Sequence, residues 1–353
     1  MLRWCVVAAA CGALGAIGAC ASYDPIKYTE RVPYEWETWS PDAGADADAD
    51  AGDDASPPAT PGASAAPAEE PQKTSERTVF PASHFWNKDI SNEPVDPRGY
   101  KYIESVGLDT PLHADFSAPE PWSKKIGYGI PYQYVSGDQK KVPVEMKWAS
   151  ESDPGPYPIP DNPLIERGDD RHILMIDKDN WVLYELYEAR LEGGKWKASS
   201  GAIFDLKSTK SRPAGWTSAD AAGLAIFPGL VRADEVIEQG AIRHALRFTV
   251  KVTQKAYVWP ASHYASKKED PDLPPMGMWV RLKSSFAIDG FSPNIQVILT
   301  ALKKHGMILA DNGSNFFVSG APDKRWKADE LRELLRVKGR DLEVIKTGDL
   351  VTK

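Results

Sequence analysis

Two carboxylates on neighbouring predicted strands are suited to acid–base chemistry. Glu185 lies in the run WVLYELYEARL, where it shares one strand face with Leu183 and Tyr187. A largely apolar face raises the pKa of a carboxyl group, as a general acid requires. Asp205 lies on the next predicted strand and would supply the ionised partner that glycoside cleavage needs. The two residues together predict a hydrolase; the alternative is that Glu185 pairs with a cation or faces solvent.

A second candidate is the tripeptide His113-Ala114-Asp115. In a strand, side chains two residues apart point to the same side, so His113 and Asp115 could supply a general base or two metal ligands. In the alternative, the tripeptide is a loop in which Asp115 accepts backbone hydrogen bonds and His113 only packs.

The stretch 216–266 combines ionisable groups with aromatic rings. Asp220 lies among small residues in SADAAG, which allow a ligand to approach the backbone closely. It could accept a hydrogen bond from a sugar hydroxyl, bind calcium, or cap a short helix. Trp216, Trp259 and His263 add the rings and polar groups that a saccharide site uses. The sequence therefore predicts no cofactor, with calcium as an open alternative.

The run IRHALRF predicts a strand with two different faces. His244 alternates with apolar residues, so it is either a packed core residue or a reserve acid–base group. Arg243 and Arg247 share the opposite face and could neutralise a uronate or a sulfate. That arrangement would permit lyase chemistry, whereas the alternative is that both arginines pair with Asp or Glu.

The elements that must position these residues are mostly strands. Apolar and β-branched runs between Asn, Asp and Gly turns predict an antiparallel meander over 171–208. A hairpin is predicted over 307–320, and helices are predicted at 96–106, 292–306 and 327–338. The pattern indicates a mainly β fold, an antiparallel β-sandwich or jelly-roll with two or three peripheral helices, ahead of a β-barrel enzyme.

The N-terminal part is predicted to export and tether the chain. Residues 1–19 have the length and composition of a signal peptide. Ile17-Gly18-Ala19-Cys20 resembles the lipobox of bacterial lipoproteins, which implies lipid on Cys20 and an outer-membrane or surface location; ordinary secretion is the alternative. Residues 20–40 follow as a lipidated segment, and 41–77 form an Ala-, Asp- and Pro-rich linker predicted to be disordered. Residues 78–353 are predicted to form a single globular domain.

Composition excludes several classes of function. The net charge is −8, from 42 Lys and Arg against 50 Asp and Glu, and no basic cluster suited to nucleic acid is present. The three cysteines all precede residue 21, so the predicted domain has no disulfide or thiolate site. Motifs of serine-hydrolase elbows, zinc peptidases and nucleotide-binding loops are missing from the sequence.

Several motifs resemble those of an uncharacterised family of secreted bacterial proteins: FPASHFWN (80–87), LHADF (112–116), GWTSADAAGL (215–224) and IRHAL (242–246). The resemblance implies one exported domain and no particular reaction. Combined with the candidate residues, it leads us to expect a surface-tethered protein that cleaves polysaccharide or cell-envelope glycan. A hydrolase is favoured over a polysaccharide lyase. A non-catalytic carbohydrate- or envelope-binding lipoprotein and a structural envelope protein are the alternatives.

Overall fold

Short strands supply most of the regular structure. The computed structural model describes residues 78–119 and 127–352. The strands are, in chain order, β1 (His113–Asp115), β2 (Tyr132–Val135), β3 (Val144–Met146), β4 (Ile173–Asp177), β5 (Val182–Tyr187), β6 (Arg190–Glu192), β7 (Lys195–Ala198), β8 (Ser200–Asp205), β9 (Leu246–Val250), β10 (Trp279–Leu282), β11 (Met307–Asn312), β12 (Phe317–Ser319) and β13 (Leu342–Val344). The mainly β class expected from the sequence is therefore confirmed for this part of the chain.

The strands form three sheets within the described ranges. The largest has the order β1-β12-β9-β11-β10-β13, the second β2-β4-β5-β8 and the third β3-β7-β6. Each sheet mixes pair directions, because β1 with β12, β11 with β9, β2 with β4, and β3 with β7 are parallel. The prediction of purely antiparallel pairing is therefore wrong, and the jelly-roll arrangement is not confirmed. Parallel pairing follows from the long connections between the strands, which a hairpin meander does not contain.

The four-stranded sheet lies between two hydrophobic cores. Along β4, Leu174 and Ile176 enter the larger core, whereas Ile173 and Met175 enter the smaller one. Successive strand residues point to opposite faces, so a strand with both faces buried becomes a continuous apolar run. On the neighbouring strand, Leu183 faces the larger core. The side of this sheet that carries Leu183 therefore faces the interior shared with the six-stranded sheet.

The prediction of a hairpin over 307–320 is wrong. Its two strands, β11 and β12, do not pair with each other, because β9 lies between them. All five residues of β9 are buried, as expected for a strand in the middle of a sheet. The turn sequence Asp311-Asn312-Gly313 suggests a tight reversal, but burial of the apolar β9 strand determines the pairing instead.

The helices are short and pack against sheet edges and faces. They are α1 (Gly99–Val106), α2 (Pro293–Lys304) and α3 (Ala328–Arg332), and α3 continues as a 3-10 turn over Glu333–Arg336. Pro293 opens α2 where its missing N–H costs nothing. Each overlaps a predicted helix. Among the described residues, no helix combines the length and apolar character needed to span a membrane.

The described residues all belong to one compact unit. The predicted signal segment, the lipid-bearing Cys20 and the linker over 41–77 all lie outside the described residues. The candidate site must therefore be built from the sheets and the segments that connect them.

Candidate active site

Three neighbouring strands of the six-stranded sheet place polar side chains on one face. Asp115 on β1 pairs with Ser319 on β12. β12 runs antiparallel to β9, with Val318 opposite Phe248, which brings Ser319 beside Arg247. Paired residues point to the same side of a sheet. In agreement, Nη1 of Arg247 donates to Oγ of Ser319 at 2.5 Å.

An irregularity in β11 turns Asp311 onto that same face. Ile308 pairs with Arg247, yet Asp311, three residues further on, pairs with Thr249, which is only two residues further along β9. Ala310 is thus the extra residue of a β-bulge, and a bulge re-aims the side chain that follows it. Without the bulge, Asp311 would point to the other face. As it is, Oδ2 of Asp311 lies 3.6 Å from Nη2 of Arg247.

The small-residue segment over 216–226 covers Arg247 with a second carboxylate. Oδ2 of Asp220 accepts from Nε of Arg247 at 2.9 Å, and Oδ1 accepts from Nη2 at 2.7 Å. This is the bidentate geometry that gives arginine–carboxylate pairs their strength. The N–H of Ala222 donates to the carbonyl of Ala310 at 2.9 Å, so the segment is docked on the bulge itself. The Asp220 carboxylate is fully buried and forms an ion pair with Arg247.

His172 contributes a second cation from the entrance to β4. Its Nδ1 contacts the Glu166 carboxylate and its Nε2 lies 3.0 Å from the carbonyl of Ala219. Because both ring nitrogens face oxygen acceptors, both must donate, and the ring is an imidazolium. Burial lowers the pKa of His172, but the Glu166 carboxylate more than offsets burial and brings the pKa to about 9. His172 is therefore a fixed positive charge at neutral pH.

Asp170 and Tyr187 complete the arrangement from the side of the four-stranded sheet. The ring of Tyr187 lies 5.3 Å from the ring of His172, measured between centroids. The backbone is held nearby by a bond from the N–H of Glu188 to the carbonyl of Asp170, 2.8 Å long. Arg171 and Glu188 both adopt left-handed backbone angles, with φ of 46° and 52°. Such conformations are strained for residues with a Cβ and accumulate at functional sites.

The acid cluster is the name we give to five carboxylates around Arg247 and His172: Asp115, Glu166, Asp170, Asp220 and Asp311. Burial raises the pKa of Asp311 to about 7, with Asp220 adding to the rise and Arg247 opposing it. Burial also raises the pKa of Asp115 to about 6, with Arg247 opposing and Glu166 adding to the rise. The Asp311 side chain is still 25% exposed, and Asp115 is partly exposed. Both carboxyls can therefore exchange protons near neutral pH.

Asp115 retains unused hydrogen-bonding capacity. Over 78–119 and 127–352, its Oδ1 is buried and has no hydrogen-bond partner. The exposed Tyr128 lies close along the backbone, because its carbonyl accepts from the N–H of Ser117 at 2.8 Å. His113 lies on the same strand face, as the sequence predicts, and its ring stacks on Phe317 at 4.1 Å. An unpartnered buried oxygen is costly, so this carboxyl is suited to accept a proton or a ligand donor.

The predicted pair of Glu185 and Asp205 is not brought together. The register of β5 with β8 sets the two residues three positions apart, which places them on opposite sheet faces. Glu185 is fully buried and accepts hydrogen bonds from the N–H groups of Ile226 and Phe227, both at 2.9 Å. Burial raises its pKa to about 7, against the effect of these bonds. The apolar surroundings were predicted correctly, but Glu185 anchors a segment and Asp205 is exposed elsewhere.

Arg243 and His244 lie outside the acid cluster. Arg243 is exposed, precedes β9 and donates to the side chain of Gln239 at 3.1 Å. His244 is buried, with Nδ1 2.8 Å from the carbonyl of Ala245 and Nε2 3.0 Å from the Glu235 carboxylate. The core interpretation of His244 fits these contacts. Because Arg243 is not on the strand, the expected face shared by two arginines does not form.

Arg247 is committed to partners of its own. Its Nε and Nη2 bind Asp220, and its Nη1 binds Ser319. Arg247 therefore pairs with a carboxylate of the protein, as the alternative interpretation of the sequence states, and is not held in reserve for a uronate or sulfate. It is not free to neutralise the carboxylate of a substrate.

The remaining predicted binding residues are dispersed. Trp216 is partly buried. Trp259 is 43% exposed, but its ring packs edge-on against Phe85 rather than against the acid cluster. His263 binds the carbonyl of Ala221 at 2.7 Å and so supports the segment that carries Asp220.

Sequence reasoning missed Glu166, Asp170, His172, Tyr187 and Asp311. One usable signal is that DDRH immediately precedes the apolar run of β4, since polar residues at a strand end often form sites. No local pattern indicates Asp311, because the bulge decides to which face of the sheet its side chain points. Within the described ranges, no group of three or more His, Cys, Asp or Glu side chains is arranged to hold a metal ion. Calcium binding stays an untested prediction.

Comparisons of the chain with protein-family models, curated proteins and solved structures gave no match. The interpretation of the site therefore rests on its geometry and chemistry.

Proposed function

We propose that this protein is a carbohydrate-active enzyme that hydrolyses glycosidic bonds, with Asp311 as general acid and Asp115 as general base. The observation that carries the proposal is a pair of partly exposed carboxyls on one sheet face, both with pKa values raised towards neutral. A carboxyl with pKa about 7 is still half protonated at neutral pH and can donate to a leaving group. A carboxyl with pKa about 6 is mostly ionised there and can activate water.

The sheet order argues against a retaining pair of carboxyls. β1 and β11 are separated by β12 and β9. Three inter-strand steps, with an offset of two residues along β9 between Arg247 and Thr249, correspond to roughly 16 Å between the Cα atoms, before the side chains lean towards each other. Inverting glycosidases place their carboxyls about 6.5–9.5 Å apart, whereas retaining ones need about 5–5.5 Å. The spacing of Asp115 and Asp311 is too wide for one carboxyl to act as the nucleophile while the other acts as the acid in a retaining mechanism.

The setting of the site favours an enzyme over a purely structural protein. Asp311 and Asp115 project from strands, which position catalytic groups more accurately than free loops do. Asp170, by contrast, lies on a loop, where its carbonyl accepts from the N–H of Glu188 at 2.8 Å. Arg171 and Glu188, which lie beside Asp170, hold left-handed backbone angles of a kind that clusters at functional sites. We also propose that the chain is exported and held at the cell surface by lipid on Cys20.

Replacing either carboxyl tests the assignment. Asp311→Asn and Asp115→Asn should each lower kcat by about 10²- to 10⁴-fold, because each removes one proton-transfer step from the reaction. Turnover would be measured as release of reducing ends from a panel of soluble polysaccharides by the full chain. Asp205→Asn is the matched control, because Asp205 is exposed on the other face of the four-stranded sheet and should retain full activity.

Three outcomes decide between the candidate functions. Unchanged turnover in both cluster variants, or loss of turnover in Asp205→Asn, would overturn the assignment. Products that absorb in the ultraviolet would indicate a lyase, since elimination leaves a carbon–carbon double bond. Glycan binding by wild type without turnover on any substrate would point to a non-catalytic binding protein.

A further inference from the structure

A cleft lies between α1 and the edge strand β13, at the opposite end of the six-stranded sheet from β1. Its volume is about 540 Å³, within the range of about 300–1,000 Å³ that small-molecule sites occupy. Gly99 allows α1 to touch β13, because a Cβ at this position would lie 2.6 Å from the Cβ of Val344. The cleft is therefore walled by a helix and a strand that are packed directly against each other.

The middle of the cleft is apolar. Ile103 of α1 and both Leu342 and Val344 of β13 line it and are buried. Two further lining residues, Val95 and Tyr100, are 47% and 60% exposed. Exposed apolar side chains that gather around one cleft mark a binding site, whereas single scattered ones do not. An apolar ligand in the cleft would cover both of these side chains.

The two ends of the cleft carry opposite charges. At the Val344 end, the N–H of Asp96 donates to the carbonyl of Val344 at 2.8 Å, so a carboxylate lies there. At the other end, Arg340 lies two residues before Leu342, and Nζ of Lys283 donates to the carbonyl of Arg340 at 2.6 Å. The cleft thus runs along β13 from an acidic end to a basic end.

The basic end can accept an anionic head group. The ammonium of Lys283 has three donors, of which the carbonyl of Arg340 occupies one. The side chain of Arg340 pairs with Asp109, but both side chains are exposed, and such a pair contributes little in water. The carboxylate of Glu343, which also lines the cleft, is compensated by Nε of Arg281 at 2.7 Å. A negative charge on a ligand is therefore favoured at this end.

We infer that the cleft between α1 and β13 binds a fatty-acid-like amphiphile, with its apolar body over Ile103 and Val344 and its anionic head at Lys283. The apolar middle supplies most of the affinity, because burial of hydrocarbon is favourable whatever the head group. Lys283 supplies a smaller preference for a negative head, because an ion pair at the surface contributes modestly. The inference goes beyond the proposed hydrolase and does not depend on it.

Calorimetric titration of the full chain with decanoate and decanol tests the site. The chain would carry Cys20→Ser, which removes the proposed lipid and with it the need for detergent. The two probes have the same hydrocarbon body and differ in the charge of the head group. Decanoate should bind about two- to fivefold more tightly than decanol at low ionic strength, the gain expected from one exposed ion pair.

Two substitutions in this background separate the apolar middle from the basic end. Tyr100→Ala should weaken binding of both probes about fivefold, the loss expected when roughly 40 Å² of apolar contact is removed. Tyr128→Ala is its matched control, because Tyr128 is also exposed but does not line the cleft. Lys283→Gln should remove the preference for decanoate and leave the affinity for decanol unchanged. Lys303→Gln is its matched control, because Nζ of Lys303 also donates to a carbonyl, that of Ser284 at 3.0 Å, but lies outside the cleft.

Four results would overturn the inference. They are no binding of either probe, equal binding of decanoate and decanol, unchanged binding in Tyr100→Ala, and an equal loss in Tyr128→Ala. Weaker binding of both probes in Tyr100→Ala, together with loss of the decanoate preference confined to Lys283→Gln, would support it. Release of reducing ends should be the same in all of these variants, so failure of the amphiphile site and failure of the proposed hydrolase are separate results.

Discussion

Two clusters of arginine, histidine and carboxylate lie near β9, and they differ in how their charges are balanced. In the first, Arg232, Glu235 and His244 are all buried. Nη2 of Arg232 lies 2.7 Å from Oε1 of Glu235, and Nε2 of His244 lies 3.0 Å from Oε2. Burial raises the pKa of Glu235, but Arg232 and His244 outweigh burial, so its pKa is lowered. This carboxylate stays ionised and fully paired.

The acid cluster has the opposite balance. Its carboxylates outnumber the cations Arg247 and His172, and the pKa values of Asp115 and Asp311 rise to about 6 and about 7. A buried charge with a complete set of partners contributes to structure but cannot change its protonation cheaply. Carboxylates in excess of their cations must share protons, which is the condition for acid–base work near neutral pH. The number of cations per carboxylate therefore distinguishes the two clusters. The Glu235 cluster, with enough cations, is structural, whereas the acid cluster, with too few, is suited to proton transfer.

The largest effect should come from breaking the balanced cluster. Glu235→Gln leaves Arg232 buried without its counter-ion and should lower the free energy of unfolding by about 3–5 kcal/mol. Asp220→Asn should cost less, because Arg247 retains Asp311 at 3.6 Å as a second carboxylate. Chemical denaturation of both variants at pH 7 would measure the difference. Equal losses in the two variants would contradict the contrast drawn between the clusters.

An intermediate effect should appear in the pH dependence of stability. Burial raises the pKa of Glu185 in the folded protein from 4.5 to about 7. A raised folded pKa gives stability that is present below the unfolded pKa and lost as pH rises through the folded value. Wild type should therefore lose about 3 kcal/mol between pH 4.5 and pH 7 that Glu185→Gln does not lose.

The Gln side chain keeps an oxygen that can accept from Ile226 and Phe227, as Oε1 of Glu185 does. Asp205→Asn removes an exposed carboxylate and should follow the wild-type pH curve. Denaturation at several pH values between 4 and 8 would measure the three curves. Parallel curves for wild type and Glu185→Gln would show that Glu185 does not titrate in this range.

The smallest effect concerns the shape of the pH–rate profile. The base Asp115 must be ionised, which requires pH above about 6, and the acid Asp311 must be protonated, which requires pH below about 7. The value of kcat/KM should therefore be bell-shaped, with a maximum between these values and about a tenfold fall per pH unit outside them. Asp220→Asn removes a negative neighbour of Asp311 and should shift the alkaline limb to lower pH. A flat profile from pH 5 to 9 would exclude this acid–base pair.

Local patterns predicted much of the strand content but little of the pairing. Alternation indicated that His113 and Asp115 share a face, and the apolar run of β4 indicated burial on both sides. The predicted hairpin over 307–320 failed because β9 inserts between its strands. Local turn chemistry describes what a segment can do by itself, whereas burial of a long-range apolar strand decides which neighbour it takes.

The sequence by itself determined which side chains alternate along each strand and which strand residues are apolar enough to be buried, because period and polarity are local properties of the chain. Only the tertiary structure decided that Asp115, Asp220 and Asp311 meet at Arg247. That meeting depends on strand order, on one extra residue at Ala310 and on a docked loop. Each is settled by packing between segments far apart in the chain, where pair contacts and burial outweigh local preference.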